Sequence, residues 1–94
     1  MELRNLTTFI HVAELGSFTK AAELLGYSQS TISFQIKQLE EELGCLLFER
    51  INHTITLTER GHELVSYAHR ICALTDEFKE SISMEESLCG HINL

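Results

Sequence analysis

Proline is absent from all 94 residues of the chain. A residue that fixes φ and removes an N–H donor would break helices, so nothing in the composition interrupts long helical stretches. Long apolar runs are missing as well, and nothing approaches the roughly 20 residues a membrane-spanning helix needs. The N-terminus lacks the charged-then-apolar profile of a secretory signal. Positive charge is scarce: seven Lys and Arg stand against fourteen Asp and Glu, for a formal net charge of −7. That is the wrong sign for general attraction to phosphate. The cysteines Cys45, Cys72 and Cys89 are odd in number, widely spaced and form no C-x-x-C pair. They read as reduced, buried or incidental thiols in a cytoplasmic protein. Redox sensing is the alternative, but no basic cluster stands nearby to lower a thiol pKa.

Catalytic furniture is missing too. There is no Gly-rich phosphate loop, no paired catalytic carboxylates, no nucleophile–base motif and no internal repeat. An enzyme is therefore not expected. His62 and His69 lie a heptad apart, and His62-Glu63 is not followed by a second His at the zinc-protease spacing. With Cys72 they form a candidate metal-ligand set, but exposed helix histidines are the simpler reading. Neither metal nor cofactor is expected.

What is present is concentrated between Ser17 and Leu43. Ser17 and Thr19 are both able to cap a first helix, because each side-chain oxygen can accept from unpaired N–H groups. Ala21, Ala22, Leu24 and Leu25 supply that helix with a compact apolar face. Gly26 suits a left-handed stop, Tyr27 fills the turn and Ser28 caps the next helix. In this second helix Ile32, Ile36, Leu39 and Leu43 form one apolar stripe at helical spacing. Opposite lie Ser30, Ser33, Phe34, Lys37 and Glu41, with Gln29 at the N-terminal edge. A helix–turn–helix places such a face in the major groove. An ordinary helical hairpin with a polar outside accounts for these residues equally well.

The next segment favours the groove reader. Cys45–Arg50 and Ile55–Leu57 look like two short strands joined around Asn52 and His53, types that tolerate positive φ in a tight hairpin. Helix–turn–helix followed by a hairpin is the winged arrangement. The expected fold class is mainly α: a winged helix-turn-helix of three helices and a two-stranded wing, followed by a long linker or dimerisation helix.

With these residues in place, the chain resembles the N-terminal DNA-binding part of a LysR-type transcriptional regulator. The resemblance runs through Leu3-Arg4-Asn5-Leu6, Phe9, Gly16-Ser17-Phe18-Thr19-Lys20-Ala21-Ala22, Ser28-Gln29, Ser33, Gln35-Ile36, Leu39-Glu40, Leu43-Gly44, Leu47-Phe48-Glu49-Arg50 and Leu57-Thr58-Glu59-Arg60-Gly61. It keeps order and spacing without a gap. It implies that Gln29, Ser30, Thr31, Ser33, Phe34 and Lys37 form the base-reading and adjacent backbone-contacting face. Ser17, Thr19 and Lys20 are implied as phosphate contacts, with Arg50, His53 and Thr54 in the wing and Thr58 at a helix N-terminus. Three positions depart from the pattern. Ser30 stands where proline is frequent, and Phe34 where arginine is common. The tip Ile51-Asn52-His53-Thr54 lacks the usual basic residues. Phe34 either packs against a neighbouring side chain or contacts a thymine methyl or a sugar.

The charge distribution fits this resemblance better than the total does. No acid occurs between Glu23 and Glu40, nor between Glu49 and Glu59, the two windows that hold the expected reading helix and wing. The acids gather in Glu40-Glu41-Glu42 and in the C-terminal third. There, Thr58 caps a helix expected to run to about Glu86. Leu64, Ala68, Ile71, Leu74, Phe78 and Ile82 recur by threes and fours, with Tyr67 beside them. Such a stripe, on a helix outrunning its own domain, suits a second copy of the chain; folding back on the domain is the alternative. The expected divisions are residues 1–58 as the DNA-binding domain, 59–88 as the linker dimerisation helix and 89–94 as the start of an absent effector domain. The expected partners are double-stranded DNA carrying an imperfect palindrome and a second copy in a homodimer. The resemblance further implies a tetramer and a small-molecule inducer in the full-length protein only, and no membrane partner is expected. The competing reading is a winged-helix module for protein–protein contact, which a contiguous apolar patch on the second helix would favour.

Overall fold

The computed structural model describes the backbone of residues 1–89 and the side chains of residues 1–83. The chain runs α1 (Leu3–Leu15), α2 (Phe18–Leu25), α3 (Gln29–Leu43), β1 (Phe48–Ile51), β2 (Thr54–Leu57) and α4 (Glu59–Cys89). This is the mainly helical winged arrangement that the sequence leads one to expect. The segment 90–94, read from sequence as the opening of a strand, lies outside the described residues.

Local chemistry sets the α2–α3 unit. Ser17 caps α2 by accepting from the Lys20 N–H at 3.1 Å, so Thr19 becomes part of the helix rather than its cap. Gly26 ends α2 at φ 76°, a left-handed conformation that costs a side-chain-bearing residue energy. The Tyr27 N–H then returns to the Ala22 carbonyl at 3.0 Å. Ser28 caps α3 through the Thr31 N–H at 3.2 Å.

The core joins all three helices of the domain to the start of α4. Phe9, Val12, Ala21, Ile32, Leu39, Leu47 and Ala68 are fully buried. Two members of the expected apolar faces do not join them. Leu24 is 61% exposed and Leu43 is 38% exposed, because each lies at the rim of its helix where no neighbouring element reaches. Buried polar groups are paired across the helices. Thr8 donates to Gln35 at 2.6 Å, and Asn5 donates to Gln38 at 3.2 Å. These bonds fix the rotation of α3 against α1, since a slip would leave buried amides unpaired.

The hairpin is shorter than expected at its start. Cys45 to Leu47 are not in a strand, and pairing begins at Phe48 opposite Leu57 and ends at Ile51 opposite Thr54. Asn52 and His53 form the two-residue loop with φ 51° and 63°, the left-handed pair a type I′ turn requires. Phe48 anchors the hairpin, its ring centroid 5.4 Å from Phe9 and 5.8 Å from Phe18. At the other end the Glu40 carboxylate accepts from the Leu47 N–H at 2.8 Å, tying the end of α3 to the wing.

α4 starts on a doubly used cap. The Thr58 hydroxyl donates to the Leu46 carbonyl at 2.7 Å and accepts from the Gly61 N–H at 3.0 Å. The helix then runs antiparallel to α1: His69 stands 3.7 Å from Glu14, while Thr75, Asp76 and Lys79 line a groove with Leu3 and Thr7. Thirty-one residues make a rod of about 46 Å at 1.5 Å per residue. α1 has thirteen residues and covers less than half of it.

Candidate nucleic-acid interface

Three elements meet at one end of the domain. The start of α2, the start of α3 and the wing enclose a polar groove of about 310 Å³. Its walls include Ser17, Thr19, Gln29, Arg50, His53 and Thr54. Six residues assigned from sequence, drawn from three separate segments, are thus brought together around one concavity. The α2 and α3 starts both present unpaired N–H groups and the positive end of a helix dipole here, which favours an anion. Arg50 adds a full positive charge from the wing.

The outer face of α3 continues from this groove. Ser30, Ser33, Phe34 and Lys37 are exposed, while Ile32, Gln35, Ile36 and Leu39 turn inward. Ser33 and Lys37 also line a second hollow, shared with Phe18, Leu46, Phe48, Arg50 and Ile55. The hydroxyls at the helix start form a cluster: Ser28 Oγ lies 3.1 Å from Ser30 Oγ and 2.9 Å from Thr31 Oγ1. Thr31 is half-buried and spends its hydroxyl there, which sets it apart from the exposed reading face. Lys20 is exposed on the outside of α2. Thr58 does not line the groove, and its hydroxyl is committed to capping α4.

Of the acids, Glu40 borders the second hollow beside Lys37 and Arg50, its carboxylate held by the Leu47 N–H. Among those with described partners, Glu42 pairs with the N-terminal amine at 3.0 Å, Glu63 with Arg60 at 2.8 Å, and Glu14 with His69. The Arg60 guanidinium is held above its ordinary pKa by its hydrogen bond to Glu63 and by that carboxylate's charge.

Comparison with known proteins decides the family. The model for bacterial regulatory helix-turn-helix proteins of the lysR family matches residues 3–62. The chain belongs to the LysR family. It is 45% identical over its full length to the uncharacterized HTH-type transcriptional regulator YwqM of Bacillus subtilis. It is 41% identical, again over its full length, to the HTH-type transcriptional regulator IlvY of Escherichia coli. In each case it spans 32% of the relative's own length, so the chain corresponds to about a third of these regulators. Among solved structures, the CbnR DNA-binding domain in its DNA complex superposes with a TM-score of 0.85 at 39% identity. That match covers 90% of this chain and 98% of the other. The LysR chain described here is therefore a regulator's DNA-binding domain, not an enzyme.

Sequence reasoning missed two groups that matter to this interface. Gln35 sits three residues after Ile32 and four before Leu39, and that spacing alone marks it as inward-facing. Ile55 lines both hollows at the base of the wing, and its alternation with Leu57 along β2 was the available signal. Gln35 is buried and Ile55 half-buried.

The apolar stripe of α4 divides in two. Ala68 is fully buried and Leu64 and Ile71 are half-buried against the domain's own core. These three pack against the protomer's own core. Tyr67, Leu74, Phe78 and Ile82 remain exposed, by 57%, 64%, 66% and 40%. At 100° per residue, this second set is centred roughly 50° around the helix from the core-facing one.

Proposed function

We propose that this chain binds double-stranded DNA sequence-specifically as a homodimer, each protomer laying α3 in a major groove at one half of an imperfect palindrome. The observation that carries this is the convergence of Ser17, Thr19, Gln29, Arg50, His53 and Thr54 on one polar groove, continuous with the stretch of α3 before Glu40, which holds no acid. Ser17, Thr19 and Lys20 hold phosphates and set register, as do Arg50, His53 and Thr54 from the wing. Gln29 at the tip of α3 pairs with adenine, and Ser30, Ser33 and Lys37 reach acceptors on neighbouring base pairs. Dimerisation runs through Tyr67, Leu74, Phe78 and Ile82, the part of α4 that its own domain leaves uncovered.

The CbnR domain, solved on DNA, supports the docking by its similarity. No helix among the described residues is long and apolar enough to cross a membrane. A bacterial cytoplasmic setting follows from the regulator's work on DNA. In a full-length protein of its relatives' size, a small-molecule inducer and a tetramer would arise from segments beyond this chain.

Selection from random duplexes tests the reading. The wild-type chain should enrich a partly palindromic site, and a Gln29→Ala/Ser33→Ala variant should lose selectivity by tenfold or more while remaining dimeric, since each bidentate base pairing contributes about 1–3 kcal/mol. Equal selectivity in the variant would remove Gln29 and Ser33 from the reading set.

A further inference from the structure

We infer that Phe34 makes this chain a reader of thymine, its phenyl ring covering the C5-methyl group of one thymine in each half-site. The inference rests on α3 being the base-reading helix, and it names what the centre of that helix reads. Phe34 is 64% exposed, whereas Phe9 and Phe18 both pack against Phe48 inside the domain. Its ring lines neither of the two hollows at this end of the domain, and it stands on a different element from the apolar stripe of α4. Packing against a neighbouring side chain, the other use open to it, is thereby set aside. Its helix positions the ring on the reading face: Ser30 lies one turn before it and Lys37 nearly one turn after, both exposed, while Ile32 and Ile36 point to the core.

The chemistry of the ring restricts what it can meet in a major groove. A phenyl group neither donates nor accepts a conventional hydrogen bond. Against guanine it would cover the N7 and O6 acceptors, and against cytosine the N4 donor, removing their water without replacing it. Adenine presents a donor and an acceptor there and is penalised in the same way. Thymine alone offers an apolar group, the C5-methyl, beside a single O4 acceptor. Ser30 and Lys37 flank the ring with donors suited to that oxygen. Methyl against phenyl removes apolar area from water on both sides, and no polar atom is left unpaired.

A single-atom-group test follows, because deoxyuridine differs from thymidine only by the methyl and keeps every hydrogen-bonding group. Each thymine of the selected duplex is replaced in turn by deoxyuridine, and binding is followed by fluorescence anisotropy. One position per half-site should weaken binding by about fourfold, or roughly fifteenfold when both halves are changed, from the loss of one buried methyl each. In Phe34→Ala that sensitivity should vanish while the rest of the profile stays, and its unfolding midpoint should be unchanged because the ring is exposed. Phe34→Arg should exchange the preference at the same position for guanine. A wild-type chain that selects a palindrome yet shows no deoxyuridine-sensitive position would overturn the thymine inference and leave base reading by α3 standing. The same profile in Phe34→Ala as in wild type would also overturn it. Absence of any sequence selectivity would overturn both.

Discussion

At Gly61 the first turn of α4 passes so close to the end of the loop before β1 that no side chain fits. A Cβ there would press into the Leu47 carbonyl oxygen and come within 2.9 Å of a Leu57 methyl. Backbone cannot yield as a flexible side chain can, so Gly61→Ala forces α4 away from the wing. The expected cost is about 1–3 kcal/mol, and thermal unfolding should move down by roughly 4–8 °C per kcal/mol for a domain of this size. Next to it, Thr58 does two jobs with one hydroxyl, donating to Leu46 and accepting from Gly61. Thr58→Val keeps the shape and deletes both bonds. It should lower stability by about 1–2 kcal/mol in urea titration, in the range for lost N-caps. Affinity of the folded fraction for DNA should be close to wild type, since this side chain stands outside the polar groove. A large affinity loss at full folding would restore Thr58 to the phosphate contacts.

Helices show where local sequence is decisive and where it is not. The α2–α3 unit was legible because Ser17, Gly26 and Ser28 act on their own neighbours within a turn. The two-residue wing loop was legible for the same reason, through the backbone tolerance of Asn52 and His53. The start of β1 was not, because Phe48 pairs with Leu57 across the hairpin and Leu47 is taken instead by the core. Leu24 and Leu43 carried the right period but met no neighbour, a matter of how far other elements reach. α4 is the strongest instance: Ala68 and Phe78 stand on one sequence stripe, and the short reach of α1 together with rotation around the helix separates the buried part from the exposed part. That division decides which residues test the dimer. Leu74→Glu/Phe78→Glu should sediment as a monomer with its helical circular dichroism intact. Ala68→Glu should unfold the protomer, because its charge enters the core unpaired. A dimer surviving the double change would move the contact off the distal half of α4.

For the molecule as a whole, charge must be judged by place rather than by sum. The total of −7 opposes DNA, yet the proposed reading end carries Lys20, Lys37 and Arg50 while Glu14, Glu42 and Glu63 are committed to other partners. Distant acids act through solvent and are screened beyond about 8 Å at physiological ionic strength. The local cations therefore control how many counterions leave the phosphates. With three per protomer, a dimer that neutralises about six phosphates should lose affinity with a log–log salt slope of about −5. Arg50→Gln removes one such cation from each protomer. It should make the slope shallower by about 2 and weaken binding to all sequences alike, since a phosphate contact carries no base information. Anisotropy titrations from 50 to 200 mM salt, on the selected site and on a scrambled duplex, separate the two kinds of residue. A loss confined to the selected site would place Arg50 among the base readers, with the wing reaching into a groove instead of lying along the backbone.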